Sequence, residues 1–270
     1  MINAIVLCHP QSKNLLSKKS FKSDFVSPIK IACGTTKVKD SDYSESADFF
    51  PTYASYNSCL FETSVILTVW EHADELIGDN HVAIMHTDIE PHLSPSETWS
   101  QLHTCCDGDG PIGLTVPAAF KGLYESVILD EHGFYAKNDP MLIHAYDNNI
   151  HVWDYIKKYD LDAYEYAMDA NPAMIYSHQF ICSRQTFDAL GARLIRIVNR
   201  LRLSDIGFWT PHMFERLIAI YLAKIAKPMI TSAFWHYSSS GVFGPGSLSL
   251  YGPRGFKYYR TCSRVINTHA

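Results

Sequence analysis

Residues 58–91 carry the pattern that most restricts how this chain can fold. Phe61, Val65, Val69 and Ala73 recur four residues apart, the spacing of one face of an α-helix running from about Ser58 to Ile77. Gly78-Asp79-Asn80 ends that helix, and an apolar run from His81 to His86 follows directly, then Thr87-Asp88-Ile89-Glu90-Pro91. Such a run predicts a buried strand, with Pro91 stopping its sheet pairing. Upstream, Asn3 to Cys8 is a short apolar strand broken by His9-Pro10, and a second strand around Pro28 to Cys33 is stopped by Gly34. Strand, helix and strand with short connections argue for a βαβ unit and a parallel sheet.

The rest of the chain is consistent with that frame. Lys13 to Lys22 is a lysine- and serine-rich solvated loop, and Tyr43 to Thr52 is acidic and turn-like. Gln101 to Gly110 reads as a glycine-rich acidic loop, and Ile112 to Val116 as a short strand closed by Pro117. Ile150, Trp153 and Ile156 form a helical stripe ending near Tyr159, and Met174 to Cys182 reads as an inserted or edge strand. Ser183 can cap a helix that carries Phe187, Leu190, Leu194, Ile197 and Leu201 on one face. Thr210-Pro211 marks a second helix start, an N-cap followed by proline at the first helical position. That helix runs through Phe214, Leu217, Ile218, Tyr221 and Leu222 to an end marked by Pro228. Val242 to Gly255, rich in Gly, Pro and Ser, reads as a long loop. The expectation is an α/β fold in one domain, residues 1–235, with a loop-rich tail, residues 236–270, packing on or closing the site.

Composition narrows the partners. A 47% hydrophobic share against 19% charged residues supports a substantial core, and 16 tyrosines suit both cores and sugar-binding surfaces. A formal net charge of −5 gives no overall pull toward nucleic acid or an anionic membrane. The seven cysteines show no CxxC pair and no zinc spacing, several lie in apolar runs, and a reducing compartment is expected. Met1 to Leu7 has no signal-peptide pattern, and no run reaches the length of a membrane span. These features lead us to expect a cytoplasmic protein.

The chemistry begins at Asp88 and Glu90. On an extended chain they project to the same side, at the carboxyl end of a strand, where open α/β sheets bind ligands. Two hard oxygen ligands suit Mg²⁺ or Mn²⁺, the ions that neutralise a nucleotide diphosphate. The rival pair, Asp107 and Asp109, follows no apolar strand and is set among turn-forming glycines.

Several segments, in order, resemble the DUF4422-type capsular-polysaccharide glycosyltransferases within the wider GT-A class. They are Ile5-Val6-Leu7-Cys8-His9, then Pro28-Ile29-Lys30-Ile31-Ala32-Cys33-Gly34, then Asn57, Glu62, Thr63 and Trp70 ahead of the strand ending at His86. His178-Gln179-Phe180-Ile181 with Phe187, and Phe214-Glu215-Arg216-Leu217 with Tyr221-Leu222, complete the resemblance, which spans about residues 3 to 224. One departure matters. After the strand histidine that family carries basic and aromatic residues, whereas here Thr87-Asp88-Ile89-Glu90 stands, similar to the acidic metal motif of other GT-A enzymes. The resemblance implies a GT-A-like central, mostly parallel sheet flanked by helices. It also implies a nucleotide-sugar donor, a saccharide acceptor and transfer between them.

Further roles follow from that reading. His236, in Phe234-Trp235-His236-Tyr237, is the candidate third metal ligand from the C-terminal part, with a structural histidine as the plainer alternative. An inverting transferase needs a carboxylate base for the acceptor hydroxyl. Glu215, near the start of a helix, is the first candidate and Asp205, in the preceding loop, the second. His9 would lie beside a uracil and ribose. Glu62 and Asn57 would buttress the nucleotide pocket, unless Glu62 faces solvent. Arg254, with Lys257, would close over the phosphates. The leading expectation is a metal-dependent, inverting glycosyltransferase using a UDP-sugar. Two alternatives stand beside it, a non-catalytic carbohydrate- or nucleotide-binding protein of the same fold and a metal-dependent phosphoesterase.

Overall fold

In the computed structural model the apolar run of residues 2–8 forms the first central strand, buried on both faces. The structure describes residues 1–8, 15–32, 44–45, 60, 62–108, 110–114, 134–139, 142, 151–175, 178–207, 209–230, 233–238 and 241–243. In chain order the amino-terminal elements are β1 (Ile2–Cys8), β2 (Val26–Ala32), β3 (Ser44–Glu45), α1 (Glu62–Glu71), α2 (Ala73–Leu76) and β4 (His81–His86). Then come β5 (Ile89–Pro91), α3 (Pro95–Cys105), β6 (Ile112–Gly113), β7 (Phe134–Tyr135), α4 (Val152–Tyr159), α5 (Leu161–Ala170) and β8 (Ala173–Met174). The chain continues through β9 (Phe180–Cys182), α6 (Arg184–Val198), α7 (Thr210–Ile225), β10 (Met229–Ile230), β11 (Phe234–Ser238) and β12 (Gly241–Phe243).

Among the described residues the main sheet has seven strands in the order β10-β6-β9-β4-β1-β2-β3. All its pairings are parallel except those of β9, which runs antiparallel to both β4 and β6. This is the mostly parallel, helix-flanked α/β sheet that the sequence predicts. Alternation divides its core in two. Ile5, Leu7, Val82, Ile84, Phe180 and Cys182 face the layer built from α1 and α4 to α7. Ala4, Val6, Ala83, Met85 and Ile181 face the opposite side, against Trp99 of α3, Phe21 and Phe234. A strand covered on both faces needs apolar residues at every position, which is why these strands read as continuous runs.

The helices form where periodicity and caps agree. Ser183 Oγ accepts from Thr186 N at 3.2 Å and opens α6, whose Phe187, Leu190, Leu194 and Ile197 are buried at three- and four-residue spacing. Gly191, on the same helix, lies so close to the Trp70 ring that a Cβ there would sit 2.2 Å from it. α7 starts at Thr210 with Pro211 in its first turn, one residue earlier than predicted, because Trp209 is its N-cap and Thr210 Oγ1 instead accepts from Gly207 N at 2.9 Å.

Several expectations are corrected. Pro91 does not end sheet pairing: β5 pairs antiparallel with β11, Pro91 opposite Phe234, in a three-stranded sheet ordered β12-β11-β5. β5 is an edge strand, where proline is tolerated. Of the two readings of the segment ending at Cys182, inserted or edge, the inserted one holds for β9, which lies inside the main sheet between β4 and β6. Residues 101–105, expected in a loop, belong to α3, which opens with a reciprocal capping box between Ser94 and Glu97. α5, capped by Asp160 Oδ1 on Ala163 N at 2.9 Å, was not foreseen. Residues 242–243, read as the start of a long loop, lie in β12, and β11 runs across the boundary drawn at residue 235. Among the described residues no helix is long and apolar enough to cross a membrane.

Candidate functional site

The strand order turns outward in opposite directions from β1, toward β2 on one side and β4 on the other. In an open α/β sheet the crevice beyond the carboxyl ends of two such strands is where ligands bind. At the carboxyl ends of β1 and β4 stands Thr87, whose N donates to Leu7 O at 3.3 Å and whose carbonyl accepts from Leu15 N at 2.8 Å. The chain after β4 is thereby pinned to the end of β1 and to the segment that returns toward it.

Asp88 follows in the turn, half-buried, and Glu90 lies exposed in β5. Between them Ile89 is fully buried in the Trp99 and Phe234 core, so the two carboxylates flank a residue anchored the other way. β4 and β5 are separate strands of different sheets, so the acidic pair sits on a turn and an edge strand and not at the end of one strand. β11 lies alongside, with Trp235 opposite Glu90 and His236 opposite Ile89. Mg²⁺ is usually held by one or two carboxylates together with phosphate oxygens and water. Among the described residues no three His, Cys, Asp or Glu side chains converge to hold a metal by themselves.

Beside this turn, on the helical face of the sheet, lies a second polar cluster. His86 continues the row of Val82 and Ile84, and His178 continues that of Phe180 and Cys182. Their rings lie 6.4 Å apart between centroids with planes 27° from parallel. His178 is 6% exposed, adopts a left-handed φ of 51°, and, like His86, has a buried Nε2 with no hydrogen-bond partner among the described residues. Burial holds the His178 pKa below the ordinary imidazole value, aided by His86 and Arg216 and opposed by Glu215 and Glu62.

Glu215 accepts from Arg216 Nη1 at 2.6 Å, and His212 Nδ1 lies 3.7 Å away. Burial pushes its pKa up, but Arg216, His212 and His178 together hold the carboxyl well below the ordinary range. Arg216 also donates from Nε to Asp139 Oδ2 at 3.0 Å, where Trp153 Nε1 donates at 2.9 Å. Glu62, at the start of α1, is half-buried and acts electrostatically on His178. Glu215 and Glu62, 153 residues apart by their numbers, thus act on one histidine.

Asp205 belongs to a different cluster. It accepts from Lys158 Nζ at 2.6 Å and from the Tyr159 hydroxyl, and these bonds lower its pKa in that order. His9, Asn57, Arg254 and Asp109 lie outside the described residues, and for His236 only the backbone is described. Sequence reasoning did not single out Asp139, His212 or Arg216 as functional. Asp139 meets Arg216 across 77 positions, a separation that no local pattern announces.

No family model matches the chain, and no curated protein matches it. Among solved structures, the apo structure of the bifunctional glycosyltransferase WbbM is similar over 84% of this chain and 44% of that one, at 13% identity and a TM-score of 0.49. The chain therefore spans less than half the length of WbbM.

Proposed function

We propose that this protein is a glycosyltransferase of the GT-A type, related to the DUF4422 group, that moves a sugar from a UDP-sugar to a saccharide hydroxyl with inversion. The observation that carries the reading is the placement of Asp88 and Glu90 around buried Ile89, beyond the carboxyl ends of β1 and β4. Asp88 and Glu90 are the residues that would hold Mg²⁺ or Mn²⁺, while His236 is paired in register with Ile89 and not with Glu90. Such an ion neutralises the diphosphate on which charge develops as the sugar leaves.

In this reaction the acceptor oxygen forms the new bond to the anomeric carbon while the bond from that carbon to the donor phosphate breaks. The acceptor proton passes to a base, and the nucleoside diphosphate departs with the bonding pair. Glu215 is bound to Arg216, which lowers its affinity for that proton. Its geometry suits a carboxylate that orients His212 or sets the charge beside His178 better than a base acting alone. Asp205, held by Lys158 and Tyr159, is weakened as a base in the same way.

That same observation favours a second reading, a non-catalytic carbohydrate- or nucleotide-binding protein that keeps the crevice without turnover. The deciding experiment is calorimetric titration of UDP and GDP with Mn²⁺ and with EDTA, on the native protein and on Asp88→Ala. Manganese-dependent binding of one nucleotide, lost in the variant, supports the crevice as a donor site, and turnover with the matching sugar nucleotides then separates enzyme from binder. Failure of both nucleotides to bind under both conditions sinks the proposal.

A further inference from the structure

A second concentration of charge lies on the helical layer. A cavity of about 380 Å³ opens between the end of α4, the start of α5 and the later turns of α6. Lys158, Arg193, Arg196 and Arg200 line it, and none of the residues around His178 does. Arg193 and Arg196 stand three residues apart on α6, and Arg200 lies in the turn just past its C-cap, Asn199.

Their charge is not spent inside the protein. None of the three arginines forms an ion pair among the described residues. Arg196 uses only Nε, donating to Ala192 O at 3.1 Å, which leaves its guanidinium fork open. Arg193 lies 5.3 Å from the centre of the Tyr221 ring, a contact that orients the cation without neutralising it. Lys158 is paired with Asp205. Two carboxylates also line the cavity, Asp160 and Asp162. Asp160 is occupied, one oxygen accepting from Ala163 N at 2.9 Å and the other from the Tyr221 hydroxyl at 2.5 Å. Three arginines without an ion pair, beside a Lys158 already paired with Asp205, therefore face two carboxylates in a hollow large enough for a small polyanion.

We propose that this cavity is an anion site for a phosphate-bearing ligand of diphosphate type, gripped by Arg193, Arg196 and Arg200. Guanidinium forks bind phosphate oxygens through paired hydrogen bonds, and three lining one cavity match an anion with several oxygens. The proposal is independent of the function assigned to the crevice at β1 and β4. Both sources of such a group, a soluble diphosphate and a phosphorylated lipid headgroup, present the same chemistry.

The test is titration of inorganic diphosphate into the full chain at low salt in EDTA, which removes metal-dependent binding elsewhere. A parallel arm uses phosphatidylcholine vesicles with and without phosphatidylinositol 4-phosphate. The variants are Arg196→Ala/Arg200→Ala, which changes two exposed side chains, and Arg202→Ala, an exposed control outside the cavity. The expected result is saturable binding of one probe, weakened at least about tenfold by the double variant, unchanged in the control, and weakened further by salt. Diphosphate binding alone identifies a soluble ligand, and binding only to phosphoinositide vesicles identifies a headgroup. No saturable binding of either probe, or equal binding by the double variant, overturns the site.

Discussion

Arg216 donates from Nε to Asp139 Oδ2 across 3.0 Å, with the two side chains 8% and 0% exposed. The pair joins the second turn of α7 to the segment just after β7, and Arg216 extends it to Glu215. A buried pair gives little net stability over an apolar replacement, but losing one partner strands the other charge. Arg216→Ala and Asp139→Ala should each lower unfolding free energy by about 3–5 kcal/mol, read by urea denaturation. Arg216→Lys should recover only part of the loss, because an ammonium cannot span both carboxylates as the fork does.

Acid stability should fall in two stages. His178 is held below its ordinary value of 6.5, so the unfolded chain takes up that proton first and stability declines as the pH drops below about 6.5. Glu215 is held below 4.5, so its contribution is fully present above that value and is lost as the pH falls toward its lower folded pKa. Glu215→Gln should flatten the second stage and deepen the first, because the Glu215 charge no longer opposes the lowering of the His178 pKa. A stability profile from pH 8 to 3 that keeps both stages unchanged in this variant would show that Glu215 is not the titrating group.

Gly191 should not tolerate even a methyl group. Trp70 lies over it on α1, and the ring is rigid, so Gly191→Ala must push α1 and α6 apart despite alanine's better helix propensity. We expect a loss of about 1–3 kcal/mol, the usual cost of overpacking. Gly191→Ala combined with Trp70→Phe should recover part of it, as measured by thermal unfolding.

Glu90 provides the sharpest separation of function from stability. Its side chain is exposed on an edge strand, so Glu90→Ala should leave the melting temperature within about 1 °C of the native protein's. Manganese-dependent nucleotide binding should nonetheless weaken by tenfold or more. Equal nucleotide affinity in the variant would remove Glu90 from the proposed metal site and leave Asp88 to be tested alone.

The local grammar of the chain was readable wherever one segment supplied its own evidence. The run of residues 81–86 announced a strand buried on both faces, and Ser183 with its spaced apolar residues announced α6. α3 was equally announced by Ser94-Pro95-Ser96-Glu97, a capping-box signature overlooked beside the glycines that follow. Pro91 misled because proline says only that one amide cannot donate; whether its strand lies at an edge depends on β11, more than 140 positions later.

By itself the sequence determined the alternation of strand and helix, the two-sided burial of the central strands, and the presence of two carboxylates after β4. Periodicity and caps are properties of neighbouring residues, and they act before any long-range contact forms. Only the tertiary structure decided that β9 runs antiparallel inside the sheet, that β11 lies beside Glu90, and that Asp139 meets Arg216. It also brought Glu62 and Glu215 to the His86–His178 ring pair, of which His178 is the buried member. Those relationships arise because burying both sheet faces forces distant segments to share the same limited edge. The charges carried there must then find partners whatever their separation in the chain.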